Sequence, residues 1–69
     1  MTKAHMRNFV PFAKTKKNNL GHEIHMQTMQ VGDGWVVDTF KDNVYVGREK
    51  GFARVVDAIR YINSEIEKV

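Results

Sequence analysis

The chain contains no cysteine, only one proline and one tryptophan, and it has no long apolar run. Without cysteine it forms neither disulfides nor thiolate metal sites, which is typical of proteins in a reducing cytoplasm. No apolar stretch approaches the roughly 20 residues that span a bilayer, and the N-terminal region lacks the apolar segment of a secretory signal. These absences predict a cytoplasmic protein that contacts no membrane.

The residues that are present make an ordinary globular composition, with 42% hydrophobic and 28% charged residues in a chain of 69. Such a composition is typical of a folded domain. A domain of this length buries only about 60% of the surface of its unfolded chain. Its core therefore needs support from dense packing, a docked segment or a second copy.

Charge is distributed unevenly along the chain. Residues 1–20 contain five basic residues and no acid, whereas residues 21–69 contain six basic and eight acidic residues. We therefore predict a basic leader (1–20) attached to one nearly neutral domain (21–69). Such asymmetry is typical of attraction to nucleic acid, although a solvated tail has the same pattern. The candidate nucleic-acid contacts are Lys3, Arg7, Lys14, Lys16, Lys17, Lys41, Arg48 and Lys50.

The C-terminal region has the spacing of an amphipathic helix. From Phe52 to Val69 the apolar residues recur at steps of three and four, which predicts one helix with one buried side. Gly51 precedes the pattern and is the expected N-cap. The apolar positions are Phe52, Val55, Val56, Ile59, Ile62, Ile66 and Val69.

The central region has the pattern of three antiparallel strands. Residues 22–31, 35–40 and 44–48 are rich in β-formers, and the turn sequences "GDG" and "KDN" separate them. The fold class is therefore α+β, a three-stranded meander packed on one C-terminal helix (βββα) with an extended basic leader. Near the N-terminus, Pro11 makes "NFVPF" an edge strand or an extended segment that docks, and the following "KTKKNNLG" predicts a loop.

The turns determine which side chains share a side of the sheet, because strand side chains alternate. Two loops are compatible with "KDN", at residues 41–42 or 42–43. Both place the same side chains of the two strands on each side of the sheet. For "GDG", a three-residue loop at 32–34 competes with a two-residue loop at 33–34, and the former groups the hydrophobic residues better. It predicts a core side with Met29, Val31, Trp35, Val37, Val44 and Val46.

The other side of the predicted sheet is half apolar, which is too much to leave bare on a monomer. Three covers are compatible with the sequence: the leader segment, a second copy, or another protein. The predicted contact residues on this side are Ile24, Met26, Val36, Phe40 and Tyr45.

No motif indicates an enzyme. His22 and His25 in "HEIH" are three apart, so on a strand they point to opposite sides and form no metal site. Two of Asp33, Asp38 and Asp42 lie in turns, where aspartate bonds its own backbone. "GREKGF" matches no phosphate-binding loop. We predict no catalytic residue, metal, cofactor or small-molecule substrate.

The "GDGWVV" turn, followed by a strand and a helix, resembles the βββα part of HicB-type antitoxins and the integrase arm-type DNA-binding domains over residues 22–66. The second resemblance implies a sheet that reads a DNA groove. Taken with the composition, the sequence predicts a small regulatory protein, of the kind common in bacteria and phages. It would act through protein–protein contact at the free side of the sheet, as a homodimer. The second hypothesis is DNA or RNA binding through the leader and the basic residues around the sheet.

Overall fold

One antiparallel sheet packs against one C-terminal helix in the computed structural model, which describes residues 12–69. The strands follow one another in the sheet in chain order, as a meander. The predicted α+β class with a C-terminal helix is confirmed, but the sheet has four strands instead of three. The elements are β1 (Ala13–Lys17), β2 (Glu23–Val31), β3 (Gly34–Lys41), β4 (Val44–Phe52) and α1 (Val55–Glu67).

The additional strand, β1, lies where the sequence predicted part of a loop. Ala13 pairs with Gln27 and Lys17 with Glu23, and every side chain of β1 is exposed. Because it is an edge strand, its lysines extend into solvent and discourage further pairing, and no apolar alternation marks it. Directly before β1, the carbonyl of Phe12 accepts a hydrogen bond from Thr28 N at 3.0 Å. The rest of the predicted docking segment lies outside the described residues.

Both central turns contain two residues. Val31 pairs with Gly34, so the first loop is Gly32 and Asp33. Gly32 has φ +58°, which suits the first central position of a type II′ turn. The predicted three-residue loop is therefore wrong. The second loop is Asp42 and Asn43, one of the two predicted loops, and both residues have the positive φ that a type I′ turn requires.

The shorter first turn reverses the sides predicted for β2. Met26 pairs with Thr39 and lies in the core at 5% exposure, and Ile24 packs against the same core. Placing these two residues on the free side was therefore wrong. Met29 and Val31, predicted to be core, lie on the side away from α1, and Val31 is 49% exposed. A change of one residue in register exchanges all side chains of a strand between the two sides.

Two irregularities shape β4. Phe40 pairs with Tyr45 and Thr39 with Gly47, which leaves Val46 as an extra residue. A second register shift precedes Phe52, close to Gly51 with φ +97°. Bulges of this kind bend and twist a strand. Gly51 therefore belongs to β4 and is not the helix N-cap, and Val46, predicted to be core, is exposed.

The core lies between α1 and the sheet. The predicted helix is confirmed, although it begins at Val55 after an N-cap at Arg54, and Phe52 lies in β4. The helix lies mainly over β1, β2 and β3 and makes the least contact with β4. The buried cluster is Met26, Val37, Ala58, Ile62 and Ile66, and around it pack Phe12, Ile24, Trp35, Phe52, Tyr61 and Val69.

Candidate functional site

The side of the sheet that faces away from α1 is the candidate site, and we call it the open face. The antiparallel register places alternate residues of each strand on it. No described helix packs on this side, since α1 lies on the other. The open face carries Thr15, His25, Gln27, Met29, Val31, Val36, Asp38, Phe40, Tyr45 and Arg48.

A row of three rings crosses the open face from β2 to β4. His25 pairs with Phe40 and Phe40 pairs with Tyr45. The ring centroids are 6.0 Å apart for His25 and Phe40, and 5.6 Å apart for Phe40 and Tyr45, which meet edge to face. Contacts of this geometry contribute about 0.5–1.5 kcal/mol beyond the burial of area. We call these three residues the ring row.

The imidazole of His25 is held by neighbours on both ring nitrogens. Nδ1 lies 2.7 Å from Thr15 Oγ1, and Nε2 lies 3.1 Å from Gln27 Oε1. These contacts orient the ring against Phe40. A metal ion would have to displace one of these two contacts. We therefore interpret His25 as a residue of the open face and not as a metal ligand.

A two-pronged ion pair lies beside the ring row. Arg48 donates from Nε to Asp38 Oδ1 at 2.7 Å and from Nη2 to Asp38 Oδ2 at 3.2 Å. The hydrogen bonds that Arg48 donates to Asp38 are the main cause that raises the pKa of Arg48 above its usual value, and the negative charge of Asp38 is the next. Asp38 is buried, so the arginine compensates a carboxylate that has little access to water. Asp38 therefore has a structural partner, and two of the donors of Arg48 are engaged by it.

The five residues predicted to contact a partner differ in their side of the sheet and in their exposure. Ile24 and Met26 lie on the helix side, as described above. Val36 lies on the open face but is buried, and Phe40 is half-buried. Tyr45, at 52% exposure, has the most accessible side chain of the five.

The exposed apolar surface is concentrated at the beginning of β4. Val44, Tyr45 and Val46 are 64%, 52% and 57% exposed, and they are consecutive. Val44 pairs with Lys41, on the helix side, whereas Tyr45 lies on the open face. Sequence reasoning missed this patch because it assigned Val44 and Val46 to the core. The alternation of strand side chains could not reveal this patch, because its exposure follows from the position of β4 at the edge of the sheet, where α1 gives the least cover.

The start of β4 is anchored by a contact between its turn and β2. Asp42 accepts a hydrogen bond from Glu23 N at 2.9 Å, and its other carboxylate oxygen lies 2.7 Å from His22 Nδ1. The hydrogen bond donated by the backbone N–H of Glu23 is the main cause that lowers the pKa of Asp42, and the hydrogen bond with His22 is the next. This aspartate is therefore a structural group of the turn.

The histidines and aspartates that the sequence analysis weighed and rejected as sites have separate partners. His22 contacts Asp42 and His25 contacts Thr15 and Gln27. Within residues 12–69 no three histidine or carboxylate side chains form a group that could hold a metal ion.

The basic residues lie around the sheet and do not line one surface. Lys14 and Lys16 pair with Met26 and Ile24 on the helix side, whereas Lys17 pairs with Glu23 on the opposite side. Lys41 lies in the same row as Lys16, across Ile24. Lys50 is exposed on β4, and Lys3 and Arg7 lie outside the described residues. The lysines of β1 make the densest positive segment of the described sheet.

No known protein family, no curated protein and no solved structure matches this chain. The resemblance to HicB-type antitoxins and integrase arm-type domains is therefore a likeness of layout. In the part of the chain that the structure describes, no helix is both long and apolar enough to cross a membrane.

Proposed function

We propose that this protein is a small, non-enzymatic, cytoplasmic binding protein that acts through protein–protein contact as a homodimer. The observation that carries the proposal is the open face, where the exposed Tyr45 lies against the half-buried Phe40 and where α1 provides no cover. Apolar side chains that lie together on an exposed surface are typical of contact sites. The aromatic ring row gives this surface a defined shape, because each ring is held by its neighbours.

The chemistry of the polar groups favours binding over catalysis. Asp38 is neutralised by Arg48, and Asp42 is held by Glu23 and His22. A general base needs access to a substrate proton, and both carboxylates are occupied by structural partners. The shallow depression lined by His25, Gln27, Phe40 and Asn43 is open to solvent, which suits a flat protein partner better than a small molecule.

The test is the oligomeric state of Tyr45→Glu. Wild type is expected to be a dimer by light scattering, and Tyr45→Glu is expected to be a monomer, because a carboxylate would be buried without a partner. Phe40→Glu should have the same effect. Circular dichroism of the helix shows whether each variant remains folded.

Val56→Glu is the matched control, because Val56 is an exposed apolar residue on the outer part of α1. This variant should remain dimeric. A wild-type protein that stays monomeric at all concentrations would overturn the proposal.

The second candidate function is binding to DNA or RNA. The observation that favours it is β1, an exposed edge strand with three lysines in five residues. Phosphate contacts supply most of the affinity of nonspecific nucleic-acid binding. The ring row is a weaker argument for nucleic acid, since the arginine beside it is already bound to Asp38.

A further inference from the structure

We infer that the second copy docks along the outer edge of β4, pairing antiparallel over residues 44–47, so that the two sheets form one continuous sheet of eight strands. This inference rests on the proposed homodimer and names the surface that forms it. An edge strand has unpaired backbone donors and acceptors along one side and is a template for another strand. Among residues 12–69, β4 has β3 as its only partner strand.

Exposure on both sides of β4 points to the edge itself as the contact. Val44 is exposed on the helix side and Tyr45 on the open face, and the extra residue Val46 is exposed beside them. A partner resting on the open face would cover Tyr45 and leave Val44 in water. A strand added beside β4 contacts the side chains on both sides of the sheet.

The helix covers β4 incompletely, and this is a second reason to place the contact at the edge of β4. Because α1 contacts β4 least, the helix side of β4 has a depression, lined by Thr39, Val46, Gly47, Arg48, Glu49 and Tyr61. The open face has its own depression beside Phe40. Side chains from an adjoining strand would fill space on both sides of the edge.

A second copy is favoured over a different protein because the edge is self-complementary. Residues 44–47 carry no charge, so two such segments can meet about a twofold axis without opposing like charges. The other edge, β1, has three lysines and would repel itself. The bulge at Val46 restricts the pairing to a short segment, which predicts a dimer that dissociates on dilution.

The predicted axis has a consequence for the open face. In antiparallel edge pairing the axis is perpendicular to the sheet, so both open faces lie on the same side. Tyr45 of each copy then lies near the middle of the joint surface, and the ring rows of the two copies continue one another. The dimer presents one aromatic surface of twice the length.

Two matched substitutions test the inference. Val44→Lys places a charge on the edge without touching the open face, and Val31→Lys places a charge on the open face at the end of β2, two strands away from β4. Both residues are exposed valines in strands, so both variants are expected to fold. Light scattering should show that Val44→Lys has half the mass of the wild-type dimer and that Val31→Lys keeps the wild-type mass.

Two other outcomes have a defined meaning. A dimeric Val44→Lys with a monomeric Val31→Lys overturns the edge and retains the proposed function, with the open faces packed on each other. A wild-type monomer overturns both. Amide exchange gives an independent readout: protection of residues 44–47 should increase with protein concentration, and constant protection would contradict pairing with a second copy.

Discussion

At the scale of single residues, two methionines three positions apart show how the register divides a strand. Met26 lies under α1 at 5% exposure, while Met29 pairs with Val36 on the open face. Composition gives no reason to separate them, because methionine fills core gaps and adapts to partner surfaces equally well. Their roles follow only from the side of the sheet on which the turn places them.

The two alanine substitutions should therefore have unequal effects. We expect Met26→Ala to lower the free energy of unfolding by about 2–5 kcal/mol, since it opens a cavity between β2 and α1. Met29→Ala should cost clearly less, because no described helix packs against it. Urea unfolding followed by circular dichroism measures both variants. Equal losses, or a larger loss for Met29→Ala, would contradict the register of β2 and β3.

At the scale of elements, the helix is the part that the sequence predicted best. The apolar pattern repeats over several turns, so it predicts the helix even when the first or last residue is misplaced by one or two positions. The predicted start was displaced because Phe52 continues the apolar pattern and Gly51 resembles a cap. Pairing between Trp35 and Phe52 retains this segment in β4 instead.

The turns show why the sides of the sheet were harder to predict. "KDN" has two compatible loops that differ by two residues in pairing, so both give the same sides. "GDG" is compatible with loops at different positions. Where two of these loops differ by one residue in pairing, every side chain of the strand moves to the other side of the sheet. The observed turn uses Gly32 at positive φ and puts Gly34 into the ladder, where an added Cβ would lie 3.1 Å from the carbonyl oxygen of Phe52.

Two elements of the site could not be predicted from apolar patterning. β1 is a strand of polar residues because it lies at an edge and buries none of its side chains. The bulge at Val46 depends on how β4 fits against β3, and local sequence does not specify it. The ring contact of Phe40 with Tyr45 was predictable, since both compatible turns put these residues on the same side.

The N-terminus of α1 offers a test at this scale. Arg54 is the N-cap residue but makes no side-chain capping bond, so a serine there should accept a hydrogen bond from the first turn and stabilise the protein by about 1 kcal/mol. Thermal and urea unfolding of Arg54→Ser measure the gain. Arg60→Ser is the matched control: both arginines contact Asp57, but Arg60 lies within the helix, where serine provides no cap. An equal response of the two variants would show that the effect is not capping.

At the scale of the whole molecule, charge and apolar surface are separated. Lysines occupy one edge of the sheet, and an uncharged apolar segment (44–47) forms the first half of the other. The net charge of +3 therefore understates how strongly one part of the surface can attract anions. The two candidate functions use different edges, so they can be tested separately.

Titration with salt tests the positive edge. If the leader and β1 neutralise phosphates, the affinity for random duplex DNA should fall steeply as salt increases, with a slope that reflects the number of contacts. Changing Lys14, Lys16 and Lys17 together to alanine should reduce this slope. Absence of binding at low salt would eliminate nucleic acid as a partner, and it would leave the dimer unaffected.

The difference between the two edges also determines how far an assembly can grow. A sheet that can add strands at both edges has no natural end and can extend into a filament. In the proposed dimer, a contact between two β4 strands would use the same edge in both copies, so the joint sheet of the described residues would end in two β1 strands. The lysines of β1 would then oppose further pairing, and an apolar edge that is otherwise an aggregation hazard would give a closed pair.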